Sequence, residues 1–233
     1  MLKVDHLSTS YKTLDGDVHV INDLNFEIRE NEIFGIAGES GCGKTTLLKT
    51  LYDIVEYPLV IDQGKVTLSG EKNGKPFSFE SGQIRKTWWN NISYVPQAAQ
   101  SVLNPIVRLK KQFLDSIPKQ DKRNETEKQT LARVAKYLEE LSLSPDVLEA
   151  YPFQLSGGMR QRVIIALATF MSPSVVLADE PTTALDPASV DRLTKTIESL
   201  QIAKLIVSHD YEFLKRVCGR MVTIRDAQIL ALE

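Results

Sequence analysis

The chain alternates between short apolar segments and segments in which apolar residues recur at helical spacing. Apolar runs at 33–37, 175–178 and 204–207 predict buried strands of a parallel sheet. After the first two runs, an apolar residue recurs every three or four positions, which predicts amphipathic helices packed on that sheet. These helical positions are Leu47, Leu48 and Leu51, then Val190, Leu193, Ile197 and Leu200.

The N-terminal region and the middle of the chain follow other patterns. Alternating residues near the N-terminus predict antiparallel strands joined by a turn around Gly16. The middle segment is polar or helical, with a helix start at Ser144 and Pro145. We therefore expect a core at 1–97 and 155–233 that is interrupted by a helical insertion at 98–154. The further predicted strands are 2–7, 18–28, 65–68 and 92–95.

Composition excludes several classes of protein. The 233 residues are 42% hydrophobic and carry a formal net charge of -2, so they suit a globular core and give no basic footprint for nucleic acid. No apolar run approaches the roughly 18–20 residues of a membrane helix, and the N-terminus lacks the core of a signal peptide. With Cys42 in a glycine-rich loop and Cys218 alone, we expect a protein of the reducing cytoplasm.

The first candidate for chemistry is the glycine-rich loop after the strand at 33–37. We expect its three glycines to take left-handed angles, so that N–H groups converge on phosphate beside the positive helix end. Lys44 then reaches the β- and γ-phosphates, and the Thr45 hydroxyl ligates Mg²⁺. A glycine-rich turn with a surface lysine is the alternative, which eight matched positions disfavour. The loop is Gly38, Glu39, Ser40, Gly41, Cys42, Gly43, Lys44 and Thr45, which fits G-x-x-x-x-G-K-[ST].

A second glycine-rich element, Leu155-Ser156-Gly157-Gly158-Met159-Arg160-Gln161, opens a predicted helix at 158–171. Ser156 is a favourable N-cap, so this helix start is another position suited to an anion, although it has no lysine. Taken alone, an ordinary capped helix explains this element better. The residues downstream reverse that balance.

Two carboxylates, Asp179 and Glu180, end the apolar strand at 175–178. We expect Asp179 to hold Mg²⁺ through water, and Glu180 to point elsewhere and polarise the attacking water as general base. His209 follows the strand at 204–207, at the edge where parallel sheets bind ligands, and its imidazole can hydrogen-bond a γ-phosphate. A lone histidine is usually structural, and the position of His209 favours the functional interpretation.

These motifs, in this order, resemble the ATP-binding subunits of ATP-binding cassette (ABC) transporters over essentially the whole chain. The resemblance implies an α/β fold: a P-loop NTPase (RecA-like) core with an N-terminal antiparallel β subdomain and an inserted α-helical subdomain. It also implies an ATPase that uses ATP and Mg²⁺ at the cytoplasmic side of a cell membrane. The matching residues are Tyr11 (adenine-stacking aromatic), Gly38 to Thr45 with Thr46 (Walker A loop), Gln97 (Q-loop), Ser156, Gly157, Gly158 and Gln161 (signature), Asp179 and Glu180 (Walker B end and catalytic base), Asp186 (D-loop) and His209 (switch histidine).

The resemblance further implies roles and partners. The catalytic residues are Glu180, His209, Lys44 and Gln97, and the metal contacts are Thr45, Gln97 and Asp179. A second ATPase subunit joins head to tail, so that the signature of one chain covers the γ-phosphate in the Walker A loop of the other. Transmembrane permease subunits, and indirectly a solute-binding protein, complete the assembly, without nucleic acid. For Tyr11 a structural role is an alternative, because His19 lies nearby in sequence.

Within the family, residues 94–105 and 155–163 resemble the oligopeptide/dipeptide importer subfamily, which also includes nickel importers. Members often carry a C-terminal extension with a cysteine cluster, whereas this sequence ends at Glu233. A soluble cassette ATPase for iron–sulfur assembly or DNA is an alternative, and so is a regulatory module without turnover, which Glu180 and His209 disfavour. We expect the surface formed by Gln97 and the segment 98–112 to provide a docking groove for the membrane subunit. Trp88 and Trp89 either border that groove or pack in the core.

Overall fold

The computed structural model describes residues 1–72, 74–97, 102–117, 125–225 and 228–232. The strands in these residues are β1 (Leu2–Thr13), β2 (Gly16–Ile28), β3 (Ile33–Ala37), β4 (Leu59–Lys72), β5 (Lys75–Glu80), β6 (Ile92–Val95), β7 (Val175–Asp179), β8 (Ala203–Ser208), β9 (Arg220–Arg225) and β10 (Gln228–Leu232). The α-helices are α1 (Lys44–Leu51), α2 (Leu109–Ser116), α3 (Glu127–Glu140), α4 (Gly157–Thr169), α5 (Pro187–Ser199) and α6 (Tyr211–Val217). Short 3-10 helices cover Ile84–Thr87, Pro145–Glu149 and Pro152–Gln154.

The strands that were predicted to be buried form the centre of a mainly parallel sheet. Its order is β10-β9-β3-β8-β7-β6, with β10 antiparallel to β9. Strand β3 pairs with β8 so that Ala37 lies opposite Ser208, and β7 pairs with β8 so that Asp179 lies opposite Val207. The carboxyl ends of β3, β7 and β8 therefore meet at one edge. The predicted P-loop NTPase fold is confirmed.

A second, antiparallel sheet has the order β2-β1-β4-β5. Strand β1 continues to Thr13, so Tyr11 lies within this strand, shortly before the turn that starts at Leu14. The prediction of β4 was too short, and β5 was not predicted. Strand β5 starts at Lys75-Pro76 on the sheet edge and is largely exposed, so its pattern lacks a continuous apolar face.

The helix after the glycine-rich loop was predicted to end at Ile54. Helix α1 ends three residues earlier, at Leu51. Asp53 takes a φ of 63°, and its carboxylate accepts hydrogen bonds from the backbone N–H groups of Gly82 (2.7 Å) and Arg85 (3.0 Å). These contacts hold the chain in a left-handed turn that an α-helix cannot continue.

The helical segment between β6 and α4 shares an apolar core with the parallel sheet. Phe113 of α2 and Val134 and Leu138 of α3 are fully buried in the same cluster as Val176 of β7. A capping box starts α3, because Thr126 and Gln129 satisfy each other's backbone N–H groups. Helix α2 was not predicted, since its buried residues are few. The boundaries at 98 and 154 remain a prediction.

Two general expectations bear on the surroundings of the protein. Neither Cys42 nor Cys218 is in a disulfide. Within the described ranges, no helix combines the length and the apolar character needed to cross a membrane.

Candidate nucleotide site

The glycine-rich loop after β3 forms a concave turn that ends in helix α1. Gly41 and Gly43 have positive φ angles of 86° and 99°, as predicted, and Gly43 is the N-cap residue of α1. Gly43 has no side chain with which to cap the helix, so the first N–H groups of α1 are directed toward the loop's concave side. This turn can therefore receive an anion.

The expectation for Gly38 was wrong. Gly38 is not among the residues that have a positive φ angle, so its backbone is not in the left-handed region. Instead, a β-carbon at Gly38 would lie 2.6 Å from Cys42 Sγ and 2.9 Å from the carbonyl oxygen of Ile224. Close packing of the loop on itself and on β9 requires glycine at this position.

Lys44 lies at the centre of the loop and is 6% exposed. Its Nζ donates hydrogen bonds to the carbonyl oxygens of Gly38 (2.7 Å) and Glu39 (2.9 Å). The same nitrogen lies 3.6 Å from Glu180 Oε1, in an ion pair that is almost wholly buried. The loop thus fixes a buried positive charge beside the converging N–H groups.

Asp179 ends β7 beside the loop. The Tyr94 hydroxyl donates to Asp179 Oδ2 at 3.2 Å, and the Thr45 side chain also hydrogen-bonds this carboxylate. Burial raises the pKa of Asp179, while the bonds from Thr45 and Tyr94 oppose that increase. Within the described residues, Asp179 Oδ1 is buried and has no hydrogen-bond partner. A buried carboxylate oxygen beside a threonine hydroxyl fits the ligand set of Mg²⁺.

The sequence predicted that Glu180 points away from this centre. In the structure its side chain points toward the centre. Its φ of 48° ends the strand geometry and turns its side chain toward Lys44. Ser208 Oγ donates to Glu180 Oε2 at 3.0 Å, and the backbone N–H of His209 donates to Oε1 at 3.0 Å. His209 Nδ1 lies 2.8 Å from Oε2. The end of β8 therefore fixes the orientation of this carboxylate.

Two adjoining cavities surround the loop. One, of about 300 Å³, brings together most of the predicted phosphate and metal contacts, and the other, of about 880 Å³, lies on the outer side of the loop. Val20, Ser40 and Gly41 line both. The smaller cavity is also lined by Tyr11, Gly43, Lys44, Thr45, Thr46, Gln97, Asp179 and Glu180. Among the predicted residues, the larger one is also lined by Gly38, Glu39, Cys42 and His209.

Tyr11 and His19 each line a cavity beside the phosphate loop, Tyr11 the smaller one and His19 the larger one. The Tyr11 hydroxyl lies 3.3 Å from Thr46 Oγ1 in helix α1. His19 pairs with Ser10 in the β1–β2 register, and its Nδ1 lies 3.8 Å from Asp62 Oδ2. Both side chains thus lie beside the loop, and the role of Tyr11 as the adenine-stacking aromatic stays a prediction.

The second glycine-rich element lines neither of these two cavities. Ser156 is exposed and caps α4, because its hydroxyl accepts a hydrogen bond from the backbone N–H of Met159 at 3.2 Å. Gly158 and Gln161 are buried. Asp186 caps α5 through Ser189, and these hydrogen bonds lower the pKa of Asp186. A single chain thus keeps its signature residues apart from its phosphate loop.

Sequence reasoning missed two residues that hold the acids. Tyr94 of β6 contacts Asp179, and no feature of the sequence distinguishes it from a core tyrosine. Ser208 contacts Glu180, and its position directly before His209 at a strand end was the available signal. Of the docking segment 98–112, residues 98–101 lie outside the described residues. Trp88 packs in the core, stacked on Tyr52 at 4.5 Å.

Together, the fold and the site define a P-loop ATPase. A phosphate loop with a buried lysine, a strand-end aspartate and an adjacent glutamate meet at the carboxyl edge of a parallel sheet. An appended antiparallel sheet and a helical segment distinguish it from a bare P-loop core.

Comparison with known proteins identifies the family. Residues 21–183 match the family model described as ABC transporter. The dipeptide transport ATP-binding protein DppD of Caldanaerobacter subterraneus subsp. tengcongensis is 31% identical over 96% of this chain and 69% of its own length. The probable D,D-dipeptide transport ATP-binding protein DdpD of Escherichia coli is 35% identical over 99% of this chain and 71% of its own. The glutamine transport ATP-binding protein GlnQ of Bacillus subtilis is 34% identical over 92% and 84%.

Solved structures agree with this family. The dimeric structure of MJ0796, a bacterial ABC transporter cassette, aligns with a TM-score of 0.79 and 26% identity over 100% of this chain and 98% of that one. The same cassette in a post-hydrolysis state with ADP and Pi aligns with a TM-score of 0.77, the same identity and the same coverage. The chain belongs to the ABC transporter family, as an ATP-binding subunit with ATPase activity.

Proposed function

We propose that this chain is the motor subunit of a membrane importer for oligopeptides or dipeptides. The observation that carries this proposal is the similarity to dipeptide transport ATP-binding proteins over nearly the whole chain. The intact constellation of Lys44, Asp179 and Glu180 supports turnover and not mere nucleotide sensing. The relative named for glutamine transport is the reason why the solute needs its own test.

The metal in this proposal is Mg²⁺, held by Thr45, Gln97 and Asp179. The unpartnered Oδ1 of Asp179 and the neighbouring Thr45 hydroxyl support this assignment within the described residues. When bound, the ion would neutralise negative charge on the phosphates of ATP. Tyr94 donates a hydrogen bond to the other oxygen of this carboxylate, Asp179 Oδ2, and so helps to orient it.

In hydrolysis, Lys44 and the N–H groups of the loop bind the phosphates, and Glu180 accepts a proton from the attacking water. Ser208 and His209 hold the Glu180 carboxylate, so that its orientation is set before the reaction. His209 also lines the larger cavity beside the loop, and in this proposal its imidazole hydrogen-bonds the terminal phosphate.

We further propose that two copies, or this chain and a paralogous chain, assemble head to tail. The capped start of α4, with exposed Ser156, is suited to an anion, yet it lines neither cavity of its own phosphate loop. Another chain's loop is therefore the proposed site of its action. The dimeric form of the similar cassette MJ0796 supports this arrangement.

We propose that the permease docks on a surface formed by two segments. One is the start of the helical segment, around Ile106, and the other lies just before α4, around Phe153. Ile106 and Phe153 are 81% and 67% exposed. Their segments are joined, because the Leu109 N–H donates to the Ala150 carbonyl oxygen at 3.0 Å and Arg108 lies over the Tyr151 ring. An exposed apolar pair on a fixed surface suits a short helix of a membrane protein.

The docking surface is tested with Ile106→Glu and Phe153→Glu, and Leu14→Glu as the matched control. Leu14 is an even more exposed apolar residue, at 105%, in the β1–β2 turn. We expect the first two variants to bind ATP normally but to lose assembly with membrane subunits, and the control to assemble. If all three variants assembled, the surface would lie elsewhere.

The importer assignment is tested by purifying the chain from native membranes and identifying its companions. Permease subunits are the expected companions, and in a reconstituted complex peptides should stimulate ATP hydrolysis. Stimulation only by glutamine, methionine or nickel would reassign the solute. Recovery with iron–sulfur assembly proteins or DNA-binding proteins would support the soluble alternative and refute transport.

A further inference from the structure

The second glycine of the signature element is in tight contact with helix α5. A β-carbon at Gly158 would lie 2.5 Å from Ser189 Oγ and 2.8 Å from Ser189 Cβ. Real β-carbons essentially never approach other heavy atoms within 3.0 Å. A side chain at 158 would therefore force α4 and α5 apart, or push Ser189 from its place.

Ser189 cannot easily move away, because the D-loop holds it. Its Oγ donates to Asp186 Oδ2 at 2.6 Å, and its backbone N–H donates to Asp186 Oδ1 at 3.0 Å. Arg192 Nη2 donates to the same Oγ at 3.2 Å. Ser189 is only 5% exposed, so no open space can receive a displaced side chain.

Conformational freedom does not explain the glycine at 158. Gly158 lies within helix α4 and is not among the residues with positive φ. Other residues adopt helical angles readily, and glycine in a helix is less favourable than alanine. Within a single chain, the close packing against Ser189 gives a reason for a glycine at this position.

We propose that Ser189 is a positioning residue that sets the orientation of the signature helix α4, and that Gly158 is glycine to permit this contact. Through it, exposed Ser156 at the start of α4 and Asp186 in the D-loop form one rigid unit. This inference rests on the proposed function, since it presupposes that the start of α4 acts on nucleotide.

A rescue experiment tests the contact. Gly158→Ala adds the clashing β-carbon, and Ser189→Gly removes both atoms that it meets. We expect Gly158→Ala to lower kcat for ATP hydrolysis by about 10- to 100-fold, because the signature is misplaced, with KM changed less. We expect the double variant Gly158→Ala/Ser189→Gly to return to within about threefold of the wild-type kcat, since the remaining costs are a helical glycine and the lost hydrogen bond from Ser189 Oγ to Asp186.

Two further variants make the test graded and controlled. Ser189→Ala removes Oγ but keeps Cβ, so it should rescue Gly158→Ala only in part. Ser199→Gly places a glycine near the exposed end of the same helix and should not rescue it. Thermal unfolding gives a second measurement, in which Gly158→Ala lowers Tm by about 3–10 °C and Ser189→Gly restores part of the loss.

Each outcome is decisive. Rescue of both kcat and Tm by Ser189→Gly, without rescue by Ser199→Gly, supports the proposal. A well-folded Gly158→Ala protein whose low kcat is not rescued overturns it, and points to direct contact of Gly158 with nucleotide. Wild-type kcat in Gly158→Ala overturns it as well. The rescue of Tm reports on a contact within one chain, so it does not depend on the head-to-tail arrangement. Failure of that arrangement would appear in a separate measurement, as the absence of ATP-dependent dimers.

Discussion

The phosphate loop and the signature element are both glycine-rich helix starts, but they differ in what surrounds them. Around the phosphate loop, one chain supplies a buried lysine, an aspartate, a glutamate and a cavity of about 300 Å³. Around the signature, the same chain supplies an exposed N-cap serine and a tightly packed helix, which line neither of the loop's cavities. In the function proposed above, the first region binds nucleotide and carries out the chemistry, and the second is a surface that faces another molecule.

The largest effect is expected from a variant that blocks ATP hydrolysis at the phosphate loop and leaves ATP binding intact. Glu180→Gln keeps the shape of the side chain but removes the proton acceptor. We expect ATP hydrolysis to fall by about 10²- to 10⁴-fold, with ATP affinity retained. Single-turnover hydrolysis and nucleotide titration measure the two quantities. Hydrolysis at the wild-type rate would end the general-base assignment.

The next effect separates binding from chemistry within the same loop. Lys44→Ala removes the buried charge, and we expect ATP affinity to fall by about 10- to 100-fold. Lys49→Ala, on the exposed side of the same helix, is the matched control and should bind ATP normally. Equal affinities of the two variants in isothermal titration would remove Lys44 from the phosphate site.

A smaller effect concerns the support of Glu180. Ser208→Ala deletes the hydroxyl that donates to Glu180 Oε2 at 3.0 Å. We expect kcat to fall by about tenfold with little change in KM, because a hydrogen bond to a charged group orients the base. Ser199→Ala serves as a control. An unchanged kcat in Ser208→Ala would mean that His209 alone holds the carboxylate.

The smallest effect is on stability and has the opposite sign to the effect on activity. Burial raises the pKa of Asp179 above the unfolded value of 3.8, so its favourable contribution is present below pH 3.8 and is lost as pH rises through the folded pKa. At neutral pH the ionised group therefore destabilises the protein. We expect Asp179→Asn to raise the Tm of the nucleotide-free protein by about 2–4 °C at pH 7, and the gain to shrink toward pH 4. A lower Tm in the variant at pH 7 would contradict this.

The two regions also differ in how far the sequence predicts them. The phosphate loop is local, so spacing alone placed Lys44 and Thr45 correctly at a helix start. Contacts between distant segments were beyond the sequence: Glu180 turns toward Lys44 through a left-handed angle, and Gly38 is glycine because β9 lies against it. The fold followed from buried apolar runs, whereas the edge strand β5 and helix α2 were missed because little of them is buried.

The central claim is that the signature of one chain completes the ATP site of another. Sedimentation velocity of the Glu180→Gln protein, with and without ATP, tests it most directly, alongside Glu180→Gln/Ser156→Arg. The account predicts a monomer without ATP, a dimer with ATP, and a monomer that still binds ATP when the bulky charge replaces exposed Ser156. A Glu180→Gln protein that stayed monomeric at saturating ATP, or a Ser156→Arg variant that dimerised equally well, would contradict it.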